Sequence, residues 1–99
     1  MGGMMQYKNG TYTGKVVDAY FGNVEVKAII QMGKLADVEF VQYPNDRPTS
    51  VEISKMSMPI LTTEAIKAQS AVVDVVSGAT QTSEGFIASL ADALAQAKG

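Results

Sequence analysis

Asp74-Val75-Val76-Ser77-Gly78-Ala79-Thr80-Gln81-Thr82-Ser83 gathers a carboxylate, a glycine and several hydroxyls immediately ahead of an amphipathic run. Such a loop suits an anion. Backbone N–H groups that are not tied into a helix or a ladder are free to point at negative charge, and the first turn of a helix leaves several of them at the positive end of its dipole. A phosphate is the natural occupant. Each hydroxyl also has a plainer reading: Thr80 caps the helix, and Ser77, Thr82 and Ser83 are turn or cap residues. Asp74 sits uncomfortably beside a phosphate because like charges repel, and its plainer reading is a carboxylate making a turn hydrogen bond.

The rest of the composition removes many alternatives. The 99 residues contain no Cys and no His, which excludes disulfides, thiol catalysis, a Ser-His-Asp arrangement and a zinc site of nitrogen and sulfur ligands. The net charge of −2 comes with no basic cluster, so no nucleic-acid partner is expected. No run approaches the ~18 apolar residues of a membrane span, and no direct membrane insertion is expected. The length suits one domain, taken as residues 7–99, with residues 1–6 a disordered or appended terminus. Small size and modest charge fit a monomer.

The elements that position this loop follow from periodicity. Residues 11–20 and 24–30 read as strands, the second with Val24, Val26, Ala28 and Ile30 on one face. Residues 35–43 form a third, with Ala36, Val38 and Phe40 on one face and Asp37 and Glu39 on the other. A two-residue Gly33-Lys34 turn would set Ala28 against Glu39 and is rejected. A three-residue loop, residues 32–34, pairs Gln31 with Leu35, Val26 with Phe40, Ala28 with Val38 and Lys27 with Glu39. Pro44 and Pro48, flanking Asn45-Asp46, end the sheet. Thr49 and Glu52 match a capping box for a short helix to about residue 56, and Pro59 opens a second to about residue 69, because one continuous helix through a proline is disfavoured.

Residues 71–76 are a strand or an extended segment rich in β-branched side chains. From 83 to 98, Phe86, Ile87, Leu90, Ala93, Leu94 and Ala97 recur at helical spacing, with Gly85, Ser89, Asp92 and Gln96 opposite and Thr82 or Ser83 as the cap. The expected class is α+β: a small antiparallel sheet of three to four strands, a C-terminal amphipathic helix, and one or two shorter helices packed on it.

Several landmarks in order resemble the FMN-binding domain family, the module of the flavoprotein subunits of the Rnf complex and of the sodium-translocating NADH:quinone oxidoreductase. They are Asn9-Gly10-Thr11-Tyr12-Thr13-Gly14, the strand after Gly22, Gly33-Lys34-Leu35-Ala36-Asp37-Val38, Gln69-Ser70, and Val73-Asp74-Val75-Val76-Ser77-Gly78-Ala79-Thr80-Gln81-Thr82-Ser83. The resemblance spans nearly the whole chain. It implies FMN as cofactor and Thr80 as the acceptor to which a separate flavin transferase joins FMN by a phosphodiester bond, with FAD as donor. Asp74, Ser77, Gly78 and Ala79 fall in the recognition signature, where Gly78 and Ala79 keep the approach open, and Thr82 and Ser83 supply further donors.

Met58 and Leu61 are candidates to cover one face of the flavin ring, or are simply core. The resemblance also implies redox partner proteins and an extracytoplasmic or membrane-surface setting, although these residues carry no signal or anchor. Three functions compete: an electron-carrier module, a non-redox structural or interaction domain of a longer surface protein, and a relay module of a flavin-dependent reductase.

Overall fold

The computed structural model describes residues 7–19, 22–43 and 48–98, with the backbone alone for 48–51. Four strands and two helices follow in the order β1 (Gly10–Thr13), β2 (Val17–Asp18), β3 (Asn23–Gln31), β4 (Lys34–Gln42), α1 (Pro48–Ala68) and α2 (Thr80–Ala97). The class is α+β, as the periodicity predicts. Central strand β3 pairs antiparallel with β4 along one edge and with β1 and β2 along the other. Its Val24, Val26, Ala28 and Ile30 are buried, facing the helices, while Lys27 and Glu39 meet on the wet face at 3.3 Å.

The β3–β4 register departs from the expected loop in an instructive way. The turn is the two-residue Met32-Gly33, with φ of 56° and 76° and Gln31 opposite Lys34. Two consecutive positive φ values give the turn whose twist matches a hairpin. A slip then separates Ile29↔Asp37 from Ile30↔Leu35, leaving Ala36 as an extra residue, a β-bulge. The bulge restores Val26↔Phe40, Ala28↔Val38 and Lys27↔Glu39, the pairs that hydrophobic alternation demands.

The expected strand over 11–20 is broken at Gly14, for a tertiary reason. The Gly14 amide donates to the Val26 carbonyl at 2.8 Å, and α2 crosses so closely that a Cβ at Gly14 would collide with the Ser89 carbonyl and lie 2.8 Å from its Oγ. Gly85 and Ser89 are buried against the sheet, not on the exposed stripe where apolarity alone puts them. A Cβ on Gly85 would meet Val24 at 3.1 Å, and the Ser89 hydroxyl accepts from the Val26 amide at 3.0 Å. Small residues therefore seat α2, and Phe86 stacks on Phe40 with centroids 5.4 Å apart.

Helix α1 corrects a second expectation, since it runs unbroken through Pro59. Ser54, Ser57, Leu61 and Ala65 are all buried and lie at helical spacing on one stripe that passes the proline, while Pro59 itself is exposed. Burial along that stripe outweighs the roughly 3 kcal/mol that an interior proline costs. The serines hid it, because they do not read as core; Ser57 buries its hydroxyl by donating to the Ile53 carbonyl at 2.8 Å. The capping-box side chain of Thr49, and the turn at Asn45-Asp46, lie outside the described residues, as do residues 1–6.

Gln69 ends α1 with φ of 55°. Its amide bonds to the Ile66 carbonyl and that of Ser70 to Ala65, both at 3.3 Å, the paired closure of a Schellman motif. Glycine is usual there, but the Gln69 side chain offsets the strain: it accepts from the Leu35 amide at 2.8 Å and donates to the Leu35 carbonyl at 2.9 Å, pairing β4 as a strand residue would. Its own carbonyl accepts from the Tyr7 hydroxyl at 2.9 Å. Residues 71–76 join no strand: the chain bends at Ala71, and the Val73 amide turns back to the Ala71 carbonyl at 3.1 Å.

Two stability outcomes follow. Gly14→Ala forces α2 off the sheet and is expected to cost roughly 3 kcal/mol, read by urea denaturation. Burial raises the Tyr7 hydroxyl above the ordinary tyrosine value, so the folded state holds that proton more tightly than the unfolded chain. The associated stability is complete below pH ~10 and is lost as the pH climbs through the raised value. Tyr7→Phe is expected to cost about 1 kcal/mol at neutral pH and to flatten the alkaline fall in unfolding free energy.

Candidate functional site

Local chain geometry brings the loop to the start of α2. The Ala79 amide donates to the Val76 carbonyl at 2.9 Å, closing a turn over Ser77 and Gly78. Gly78 has φ of 83°, the value that the third position of a type II turn requires. Nothing lies within 4 Å of where its Cβ would be, so glycine answers to the backbone here and to open space beside it.

Helix α2 begins at Thr80, not at residue 83, and its N-cap residue is Ala79, which makes no side-chain capping bond. Neither Thr82 nor Ser83 caps it: Thr82 is 3% exposed and Ser83 fully buried. The first amide to bond within the helix is that of Ser83, to the Ala79 carbonyl at 2.9 Å. The amides of Thr80, Gln81 and Thr82 therefore find no acceptor among the described residues, and no acidic side chain stands in the first turn. Three unpartnered donors at a positive helix end, with no carboxylate in the first turn, are chemically suited to an anion.

A surface depression of about 260 Å³ borders the start of α2, lined by Ile53 of α1 and by Gly78, Ala79, Thr80, Gln81 and Thr82. Thr80 is exposed on its wall and does not turn into the interior. Asp74 and Ser77 are exposed on the loop but do not line the depression. Ser83 faces inward, donating to the Ala79 carbonyl at 2.7 Å and accepting from the Val76 amide at 2.9 Å. Leu61 is fully buried in the core and Met58 half-buried; neither lines the depression.

Ile53 was not visible as a site residue. Splitting α1 at Pro59 detaches the short piece that carries Ile53 from the core residues Leu61 and Ala65, whereas a continuous helix anchored by them holds Ile53 against the start of α2.

A sequence profile of the FMN-binding domain matches residues 19–95. The chain belongs to the FMN-binding domain family. FMN is accordingly its cofactor, and the site fits that molecule: free amides suit its phosphate, and the open side of Gly78 with apolar Ile53 admits a bulky group. No functionally curated protein matches the chain. Among solved structures, the CPE2226 protein of Clostridium perfringens has the same fold, with a TM-score of 0.71 at 20% identity, covering 92% of this chain and 88% of its own.

Because the Gly78 requirement is conformational and not steric, Gly78→Ala is expected to cost about 1–2 kcal/mol, and Gly78→Asn less, since Asn tolerates positive φ better. Denaturant midpoints of the two variants check this order.

Proposed function

We propose that this FMN-binding domain is an electron-transfer module whose FMN is joined covalently to Thr80 by a separate flavin transferase. The observation that carries this reading is the exposed Thr80 hydroxyl at the first position of an uncapped helix, beside three free amides and an open depression. With FAD as donor the step balances as follows. The Thr80 oxygen forms a bond to the FMN-side phosphorus, the phosphoanhydride bond breaks, AMP departs, and the hydroxyl proton is released.

The product diester keeps one negative charge, which the amides of Thr80, Gln81 and Thr82 and the dipole of α2 stabilise by about 1 kcal/mol. Bound FMN supplies the redox chemistry. The chain supplies attachment, through Thr80, a charge-complementary seat, through the helix start, and an apolar wall, through Ile53. Asp74, exposed upstream, fits contact with the transferase better than contact with phosphate.

A module of this kind passes electrons between redox partner proteins.

Co-expression with a flavin transferase followed by intact mass measurement tests the attachment. The expected result is a gain of one FMN less one water, absent from Thr80→Val. No gain in the unaltered chain rejects covalent carriage, and a gain that persists in the variant moves the bond elsewhere. Thr80 caps nothing, so Thr80→Val is expected to change stability by no more than about 0.5 kcal/mol, which keeps loss of attachment separate from loss of fold.

A further inference from the structure

Ser83 does not face the depression, yet its hydroxyl joins both ends of the turn that borders it. The Oγ donates to the Ala79 carbonyl at 2.7 Å and accepts from the Val76 amide at 2.9 Å. The first of these alone is ordinary, since helical serines often bond back to the carbonyl four residues earlier. The second reaches outside the helix, from residue 83 to the start of the turn that Ala79 closes onto Val76. A fully buried side chain thus ties the loop to the first turn of α2.

Few other hydrogen bonds hold this segment, whose Ala71 is buried and whose Val73 and Val76 pack against the core. Residues 71–76 join no ladder, and their other amide bonds are local: Val72 to the Ser70 hydroxyl at 3.1 Å and Val73 to the Ala71 carbonyl at 3.1 Å. Asp74 and Ser77 are exposed, as is Val72 at 85%. Without the Ser83 strut the Val76 amide loses its acceptor, and the positive-φ turn at Gly78 is left with one backbone bond and the packing of the Val76 side chain. Thr80 remains in the helix, but the loop bordering its hydroxyl samples other arrangements.

We propose that Ser83 is a positioning residue for flavin attachment: its hydroxyl holds the Val76–Ala79 turn in the form that leaves the Thr80 oxygen open to the transferase. This rests on the acceptor reading of Thr80. Ser83 touches neither phosphate nor acceptor oxygen, so its removal acts through the fraction of chains whose loop is competent. When only a fraction of a substrate is binding-competent, its apparent affinity falls by that fraction while the bound complex reacts as before.

The test uses the whole chain with purified transferase and FAD, comparing the unaltered protein, Ser83→Ala and Ser83→Thr, with amide hydrogen exchange on each. For Ser83→Ala the expected result is a KM for the chain raised about tenfold with kcat nearly unchanged. Exchange at Val76 should quicken while Leu90 and Ala93 in α2 stay protected. Ser83→Thr keeps the hydroxyl and is expected to restore both KM and Val76 protection.

Labelling of Ser83→Ala at the unaltered KM overturns the proposal. So does a defect confined to kcat, a loss of protection throughout α2, or a failure of Ser83→Thr to restore KM. An unaltered chain that accepts no FMN overturns the acceptor reading and this proposal with it. A chain that is labelled normally with and without the Ser83 hydroxyl overturns this proposal alone.

Discussion

An alanine at the N-cap of α2 leaves the helix to begin with three amides that no described group of the chain accepts. Helices ordinarily recruit a Ser, Thr, Asp or Asn oxygen at this point, and Thr80, Thr82 and Ser83 carry hydroxyls of that kind nearby. They are otherwise engaged: Ser83 braces the loop behind, Thr82 is buried, and Thr80 stands exposed within the helix. The positive end of α2 consequently stands at the depression that Thr80, Gln81 and Thr82 help to line. A family that binds FMN places a phosphate ester among its ligand's groups, and in the proposed reading the uncapped turn receives it.

That turn is only useful if it stays where it is, and the seat of α2 is made by small residues. Gly14 and Gly85 let the helix lie against β1 and β3, and Ser89 accepts the Val26 amide inside the contact. Phe86 on Phe40 fills the space toward β4. At its far end the Ala97 carbonyl accepts from Lys8 at 2.7 Å, so both ends of α2 have assigned places. Helix α1, held by Leu61, Ala65 and the Gln69 clasp on Leu35, brings Ile53 over the start of α2. The close-packed part of the fold therefore ends at the first turn of α2.

Much of this is legible in the residues alone. Period-two alternation in β3 and β4 determines the core pairs Val26↔Phe40 and Ala28↔Val38, since any odd slip would bury carboxylates. The loop and Thr80 stand out because hydroxyls, a glycine and a helical repeat coincide. Less legible is anything decided by close approach across the fold. Gly14 breaks an apparent strand because Ser89 lies behind it, Gly85 and Ser89 occupy the packing face because they are small, and Ser54 and Ser57 are core despite their polarity. The hairpin compensates a two-residue turn with a bulge at Ala36, a device that pattern-counting does not reveal. Ile53 follows the same rule: its place at the site depends on α1 continuing through Pro59, which packing decides and propensity opposes.

The central claim is that the phosphate end of FMN is held by the opening turn of α2. Amide nitrogen and proton chemical shifts, recorded on the isotope-labelled chain before and after FMN loading, test it most directly. The account predicts the largest changes at Thr80, Gln81 and Thr82, where new charge-assisted hydrogen bonds form, with smaller ones at Gly78 and Ile53. Unchanged amides at 80–82, together with the largest shifts elsewhere, such as the separate depression bordered by Tyr7, Leu94 and Lys98, would contradict it.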